Sequence, residues 1–143
     1  MDFKITGRRA LVTGASTGIG RATALALAAE GVRLAVSARN EAALTSLRDE
    51  IAATGADAPE VVLADVATAA GCAQVVESTR RRLGDVDILV NNAGGSRPRD
   101  SGNADQTDED WWEEAFALNF TAARRITDGI VPGMKAAGWG RII

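Results

Sequence analysis

Short apolar runs alternate along this chain with longer stretches in which apolar positions recur every three or four residues. Four runs stand out: Arg9–Thr13, Arg33–Ser37, Glu60–Ala64 and Val86–Val90. Each is nearly continuous in apolar side chains at its centre, the pattern of a strand buried on both faces. Between them, about Gly18–Glu30, Glu41–Thr54 and Thr68–Leu83 carry helical spacing. Gly31, Gly55 and Gly84 follow those stretches, where a left-handed residue commonly closes a helix. A longer helix is predicted to open near Thr107, whose hydroxyl can cap it, and to run past Asn119. Pro132 should kink or end it.

Strand and helix in strict alternation imply right-handed crossovers and a parallel sheet with helices on both faces. The fold class is therefore α/β, a doubly wound parallel sheet of the Rossmann type, with residues 1–143 forming one domain. Such sheets bind ligands beyond the carboxyl ends of their strands, which directs attention to the residues after Val12, Val36, Ala64 and Val90.

Composition narrows the chemistry. With 16 Lys plus Arg against 19 Asp plus Glu, the net charge is −3, which argues against a nucleic-acid partner. The chain has no His, which removes imidazole acid–base work and His-metal sites. A single cysteine, Cys72, permits no internal disulfide and suits a reducing compartment. The start lacks the apolar core of a signal peptide and no run approaches the length of a membrane span. These features lead to the expectation of a soluble, cytoplasmic protein with no metal site and no membrane partner.

The first strand is followed by Thr13-Gly14-Ala15-Ser16-Thr17-Gly18-Ile19-Gly20 and then directly by a helix. Gly14 allows a tight turn, Gly18 lets backbone approach a pyrophosphate, and Gly20 lets the helix pack closely on the sheet. Exposed N–H groups at the helix start then favour phosphate. After the second strand, where an NAD-selective site carries a carboxylate, Val36-Ser37-Ala38-Arg39-Asn40 offers no acid and one guanidinium. Arg39 there favours a 2′-phosphate through charge-assisted hydrogen bonds, hence NADP(H) over NAD. Asp65-Val66 follows the third strand; the Asp can accept from an adenine amino group or cap the next helix. After the fourth come Asn91-Asn92-Ala93-Gly94-Gly95, amides and small residues that allow close passage of a ribose and nicotinamide.

With these motifs in this order, the sequence resembles the short-chain dehydrogenase/reductase family over its whole length. The resemblance implies that Asp87 and Asn91 stabilise the central sheet, and that Gly14 to Gly20, Arg39, Asp65, Val66 and Asn92 to Gly94 form the cofactor site. Thr17 stands where some members carry a second basic residue, leaving Arg39 as the principal phosphate anchor. Asn119, a polar residue amid Phe116-Ala117-Leu118 and Phe120, reads on its own as a satisfied buried amide. The resemblance places it in the family's catalytic tetrad, helping to hold a water in the proton relay. The resemblance also implies a homo-oligomer.

Trp111 and Trp112 point about 100° apart on a helix, so one can meet a partner subunit while the other packs. Ser96–Asp100 reads as a polar loop near the substrate entrance or simply as a solvated one, and Arg80-Arg81-Arg82 as a helix end complementing its dipole. Gly140-Arg141-Ile142-Ile143 matches the start of the family's fifth strand, ahead of its catalytic Ser and Tyr-x-x-x-Lys. There is no Tyr in these residues. The expectation is the cofactor-binding N-terminal part of an NADP(H)-dependent oxidoreductase, inactive by itself, interconverting a secondary alcohol and a ketone, with a 3-oxoacyl thioester as default substrate. Its fourth strand would be left partly uncovered. The other class that fits is a non-catalytic dinucleotide-binding or assembly module.

Overall fold

Ala10, Leu11 and Val12 are all fully buried, yet they serve two different cores. Successive side chains of a strand point to opposite faces, so burial of all three requires cover on both sides of the sheet. The computed structural model describes residues 3–95 and 109–143, and it shows how that cover is built.

Five strands, β1 (Arg9–Thr13), β2 (Arg33–Ala38), β3 (Glu60–Leu63), β4 (Ile88–Val90) and β5 (Arg141–Ile142), form one sheet in the order β3-β2-β1-β4-β5. All pairings are parallel, with Val12 opposite Val36 on one side and Val90 on the other. Helices α1 (Gly18–Ala29) and α2 (Glu41–Ala53) cover one face, where Ala24, Ala28, Leu44, Leu47 and Ile51 meet Ala10, Val12 and Val36. Helices α3 (Ala69–Leu83) and α5 (Ala122–Ala137) cover the other, where Val75, Ile126, Ile130 and Met134 meet Leu11, Ala35 and Leu89. The strand order reverses between β1 and β4, so their carboxyl ends diverge into a crevice.

The predicted strands and first three helices lie where the pattern put them, within one or two residues at their ends. Gly31, Gly55 and Gly84 carry φ of +74°, +85° and +93°, the left-handed region that favours glycine after a helix. The long helix differs from expectation. It consists of α4 (Glu109–Phe116), a single π-type turn over Ala117–Thr121, and α5; Thr107 lies outside the described residues, as does Ser96–Asp100. Pro132 does not end α5, which continues to Ala137 and closes at Gly138 with φ +66°. Ile126, Ile130 and Met134, spaced one turn apart, are buried on both sides of the proline, and their packing outweighs the lost backbone bond, a cost of about 3 kcal/mol. β4 is not left uncovered either: Ile143 N–H donates to Leu89 O, and Asn91 N–H to Ile143 O. The exposed edge on that side is β5 instead.

Candidate functional site

The crevice is held open by a threonine. Thr13, at the end of β1, is 1% exposed. Its Oγ1 donates to the Val90 carbonyl at 3.3 Å and accepts from the N–H groups of Asn92 and Ala93 at 3.1 and 3.0 Å. One hydroxyl thus fixes the turn that leaves β4. Asn92 returns the tie, its Nδ2 donating to the carbonyls of Thr13 and Gly14 at 3.1 and 3.0 Å. That amide occupies the space in which a Cβ on Gly14 or Gly20 would stand. Gly14 also turns at φ +66°, with Ala93 Cα 2.8 Å from the position of its missing Cβ. Small residues are required here because two backbones and an amide converge.

Around this knot, the chain leaves groups facing outward. Helix α1 begins at Thr17 without a side-chain cap, and its first turn carries no acid. Its neighbours differ: Asn40 Oδ1 accepts from Ala43 N–H in α2, and Thr68 Oγ1 from Gly71 N–H in α3. The N–H groups at the start of α1 therefore point at solvent with the positive end of the helix dipole behind them, an anion-binding arrangement. Gly18, at φ +56°, has open space where a side chain would project. Ile19 is 79% exposed, an apolar side chain offered at the mouth of the same cleft.

That cleft, about 940 Å³, is lined by the turn at Gly14 and Ser16 to Ile19, by Arg39, by Asp65 and Val66, and by Asn92, Ala93 and Gly94. Residues from the ends of β1, β2, β3 and β4 thus meet in one crevice. Arg39 is exposed and makes no ion pair among the described residues. Asp65 is not the cap of α3, which is Thr68; its Oδ1 accepts from Ala67 N–H at 3.1 Å and braces the turn before the helix. Ala15 and Gly20 lie beneath the cleft rather than along it: Ala15 is fully buried, and its N–H donates to the Ser37 carbonyl.

Asn119 sits in the π-type turn and is exposed rather than buried. Its Nδ2 donates to Gly95 O at 2.7 Å and to Ala115 O at 2.8 Å, while its Oδ1 accepts from Gly95 N–H at 2.9 Å. The amide replaces the backbone donor that Ala115 would have had in an α-helix, and Ala122 N–H reaches back to Ala117 O to close the wider turn. Asn119 therefore clamps the Gly94-Gly95 strap to the helix, and both its N–H donors are used.

Comparison with known proteins agrees with this geometry. The short chain dehydrogenase family model matches residues 8–143. The chain belongs to the short-chain dehydrogenase family. It is 36% identical over its full length to the 3-oxoacyl-(acyl-carrier-protein) reductase FabG of Escherichia coli (strain K12), covering 55% of that protein. It is 29% identical over 133 residues to the 7alpha-hydroxysteroid dehydrogenase of Bacteroides fragilis, 93% of this chain and 51% of that one. Among solved structures, L-sorbose reductase from Gluconobacter frateurii, complexed with NADPH and L-sorbose, superimposes with a TM-score of 0.91 at 37% identity, over 99% of this chain and 53% of that one. The chain thus spans about half the length of the relatives it matches.

Within this short-chain dehydrogenase fold, Asp87 is buried at the start of β4, and its Oδ2 accepts from Arg9 N–H and Nε at 2.8 and 3.2 Å. Asn91 Nδ2 donates to Thr127 Oγ1. Both tie the sheet to its neighbours. Of the arginine run, Arg80 donates to Gly129 O and Arg82 to Val61 O. Sequence reading did not single out Thr13, although a polar residue closing an apolar strand is its signal. It also missed Leu118, which lines the cleft, and the π-type turn, for which an Asn inside an apolar helical run is the cue.

Proposed function

We propose that this chain supplies the cofactor-binding part of an NADP(H)-dependent oxidoreductase that interconverts a secondary alcohol and a ketone, with a 3-oxoacyl thioester as the default substrate. The observation that carries the reading is Arg39, an exposed guanidinium without an ion pair among the described residues, lining the same cleft as an uncapped helix start. The residues fit such a cofactor: Gly18, at the uncapped helix start, has open space where a side chain would project, and Gly14 lets the turn beneath it pack against Ala93 and Asn92. When bound, the cofactor supplies or accepts a hydride. Ser16 to Ile19 and the first N–H groups of α1 hold the pyrophosphate, Arg39 binds the 2′-phosphate, Asp65 and Val66 flank the adenine, and Asn92 to Gly94 flank the nicotinamide ribose. Asn119 acts in the proton relay through the strap it clamps. The FabG match supports the thioester, and the NADPH complex of L-sorbose reductase supports the cofactor. The protein is proposed to work as a cytoplasmic homo-oligomer, and these 143 residues to give no turnover without the segment that carries Ser, Tyr and Lys in the family.

The test is NADPH oxidation by the full-length protein against a panel of 3-oxoacyl thioesters, simple ketones and keto sugars. Thioester reduction with NADPH supports the reading. Failure to reduce any of them, with NADPH binding intact, refutes the oxidoreductase and leaves a binding module.

A further inference from the structure

A second lobe of about 620 Å³ adjoins the cleft, and Arg39, Asp65, Gly94 and Leu118 line both. Helix α4 contributes Trp111 and Glu114 to the lining of this lobe. Trp111 is half-buried. Trp112 packs edge-on against it, with ring centroids 5.0 Å apart and planes at 88°, a favoured aromatic geometry that holds the Trp111 plane in place. Trp112 in turn lies 6.2 Å from the Phe116 ring, so Trp111, Trp112 and Phe116 form an aromatic row along α4.

The chemistry of the lobe is specific. It combines one broad aromatic surface, two carboxylates and, at the border with the main cleft, one guanidinium. Carboxylates accept N–H bonds and repel phosphate, whereas the guanidinium does the reverse. The ligand that suits this arrangement is flat and bears an amino group, with a phosphate about one sugar away. The 2′-phosphoadenosine end of NADP(H) has that form.

We propose that Trp111 is a cofactor-contacting residue, its indole stacking on the adenine while Arg39 holds the 2′-phosphate. The inference rests on reading the cleft as an NADP(H) site and adds a residue from α4 to it. Stacking of an aromatic side chain on a base is sequence-tolerant and strong enough to be measured by alanine substitution.

The test uses 2′,5′-ADP, which carries the adenine and both phosphates without the nicotinamide, titrated into the full-length protein by calorimetry. Trp111→Ala is expected to weaken 2′,5′-ADP and NADPH by about 10-fold each, and Trp111→Phe by less than about 3-fold. Nicotinamide mononucleotide should bind parent and variants alike. A second measurement does not depend on the alanine variant folding: 2′,5′-ADP should quench tryptophan emission in the parent, and Trp111→Phe should abolish that quenching. Unchanged 2′,5′-ADP affinity in Trp111→Ala, with Arg39→Ala weakened, overturns the stacking role and leaves the cofactor assignment standing. Quenching that persists in Trp111→Phe overturns it equally. A parent that binds neither NADPH nor 2′,5′-ADP overturns both.

Discussion

Replacing Thr13 by Val keeps the shape of the side chain and removes one oxygen. In the structure that oxygen serves three partners: the Val90 carbonyl, and the N–H groups of Asn92 and Ala93. The 3.3 Å bond to Val90 is long and contributes about 0.5 kcal/mol, whereas losing the acceptor of two N–H groups costs about 1 kcal/mol each. Asn92 and Ala93 are only partly buried, so water recovers some of this, and the total comes to about 2 kcal/mol. Thr13→Ser keeps every hydrogen bond and loses a buried methyl, about 1 kcal/mol. Urea unfolding of the cofactor-free full-length protein is therefore expected to rank parent above Thr13→Ser above Thr13→Val, with the two variants in the opposite order to that set by apolar burial alone. The same substitution loosens the turn that flanks the nicotinamide ribose, so NADPH affinity should fall about tenfold in Thr13→Val and little in Thr13→Ser. If Thr13→Val is as stable as Thr13→Ser, the hydroxyl does not hold the turn and the account of the crevice is wrong.

Gly14→Ala must accommodate a Cβ 2.8 Å from Ala93 Cα at φ +66°; a loss of about 2–4 kcal/mol is expected in urea unfolding, and a parent-like midpoint would contradict it. Trp139 carries two guanidiniums over its ring, Arg8 at 3.9 Å and Arg141 at 4.7 Å from the centroid, which joins β5 to the start of β1. Trp139→Ala should cost about 2–4 kcal/mol and speed amide exchange at Arg141 and Ile143, with Trp139→Phe in between. Burial, opposed by Arg125 and aided by Asp65, pushes the Cys72 thiol above its usual range. A raised folded-state value means the stability it contributes is complete below the unfolded thiol value, about 8.5, and is lost as pH rises through the folded one. Stability should accordingly fall above about pH 9 in the parent and less in Cys72→Ala, and alkylation of Cys72 should require unfolding.

The architecture was readable because the first four strands have nearly continuous apolar centres and the first three helices are each followed by a glycine, signals that are local and recur along the chain. The positions lining the cleft were readable for a related reason: in a doubly wound sheet they must follow the strands. What escaped the sequence was whatever depends on two distant segments meeting. Thr13 matters because Asn92 and Ala93 arrive beside it from 79 and 80 residues away; its polarity at the end of an apolar strand marks it as unusual, but its partners cannot be read locally. Pro132 misled for the same reason, since local backbone chemistry favours a break and the tertiary burial of Ile130 and Met134 overrides it. Of the two readings of Asp65, the helix cap is overturned, since Thr68 caps α3 and one Asp65 oxygen braces the turn before it. Asn119 was flagged by its polarity in an apolar helix, but the expected burial was wrong: its amide is satisfied at the surface by the Gly95 backbone.

The central claim, that Arg39 selects a 2′-phosphate, is tested most directly by four dissociation constants: NADPH and NADH with parent and with Arg39→Ala, in the full-length protein. A charge-assisted contact of about 1.5–3 kcal/mol predicts that NADPH weakens by about 10- to 100-fold and NADH by less than about 2-fold, with the NADPH loss shrinking at high salt. An equal loss for both cofactors would make Arg39 a structural residue and contradict the assignment.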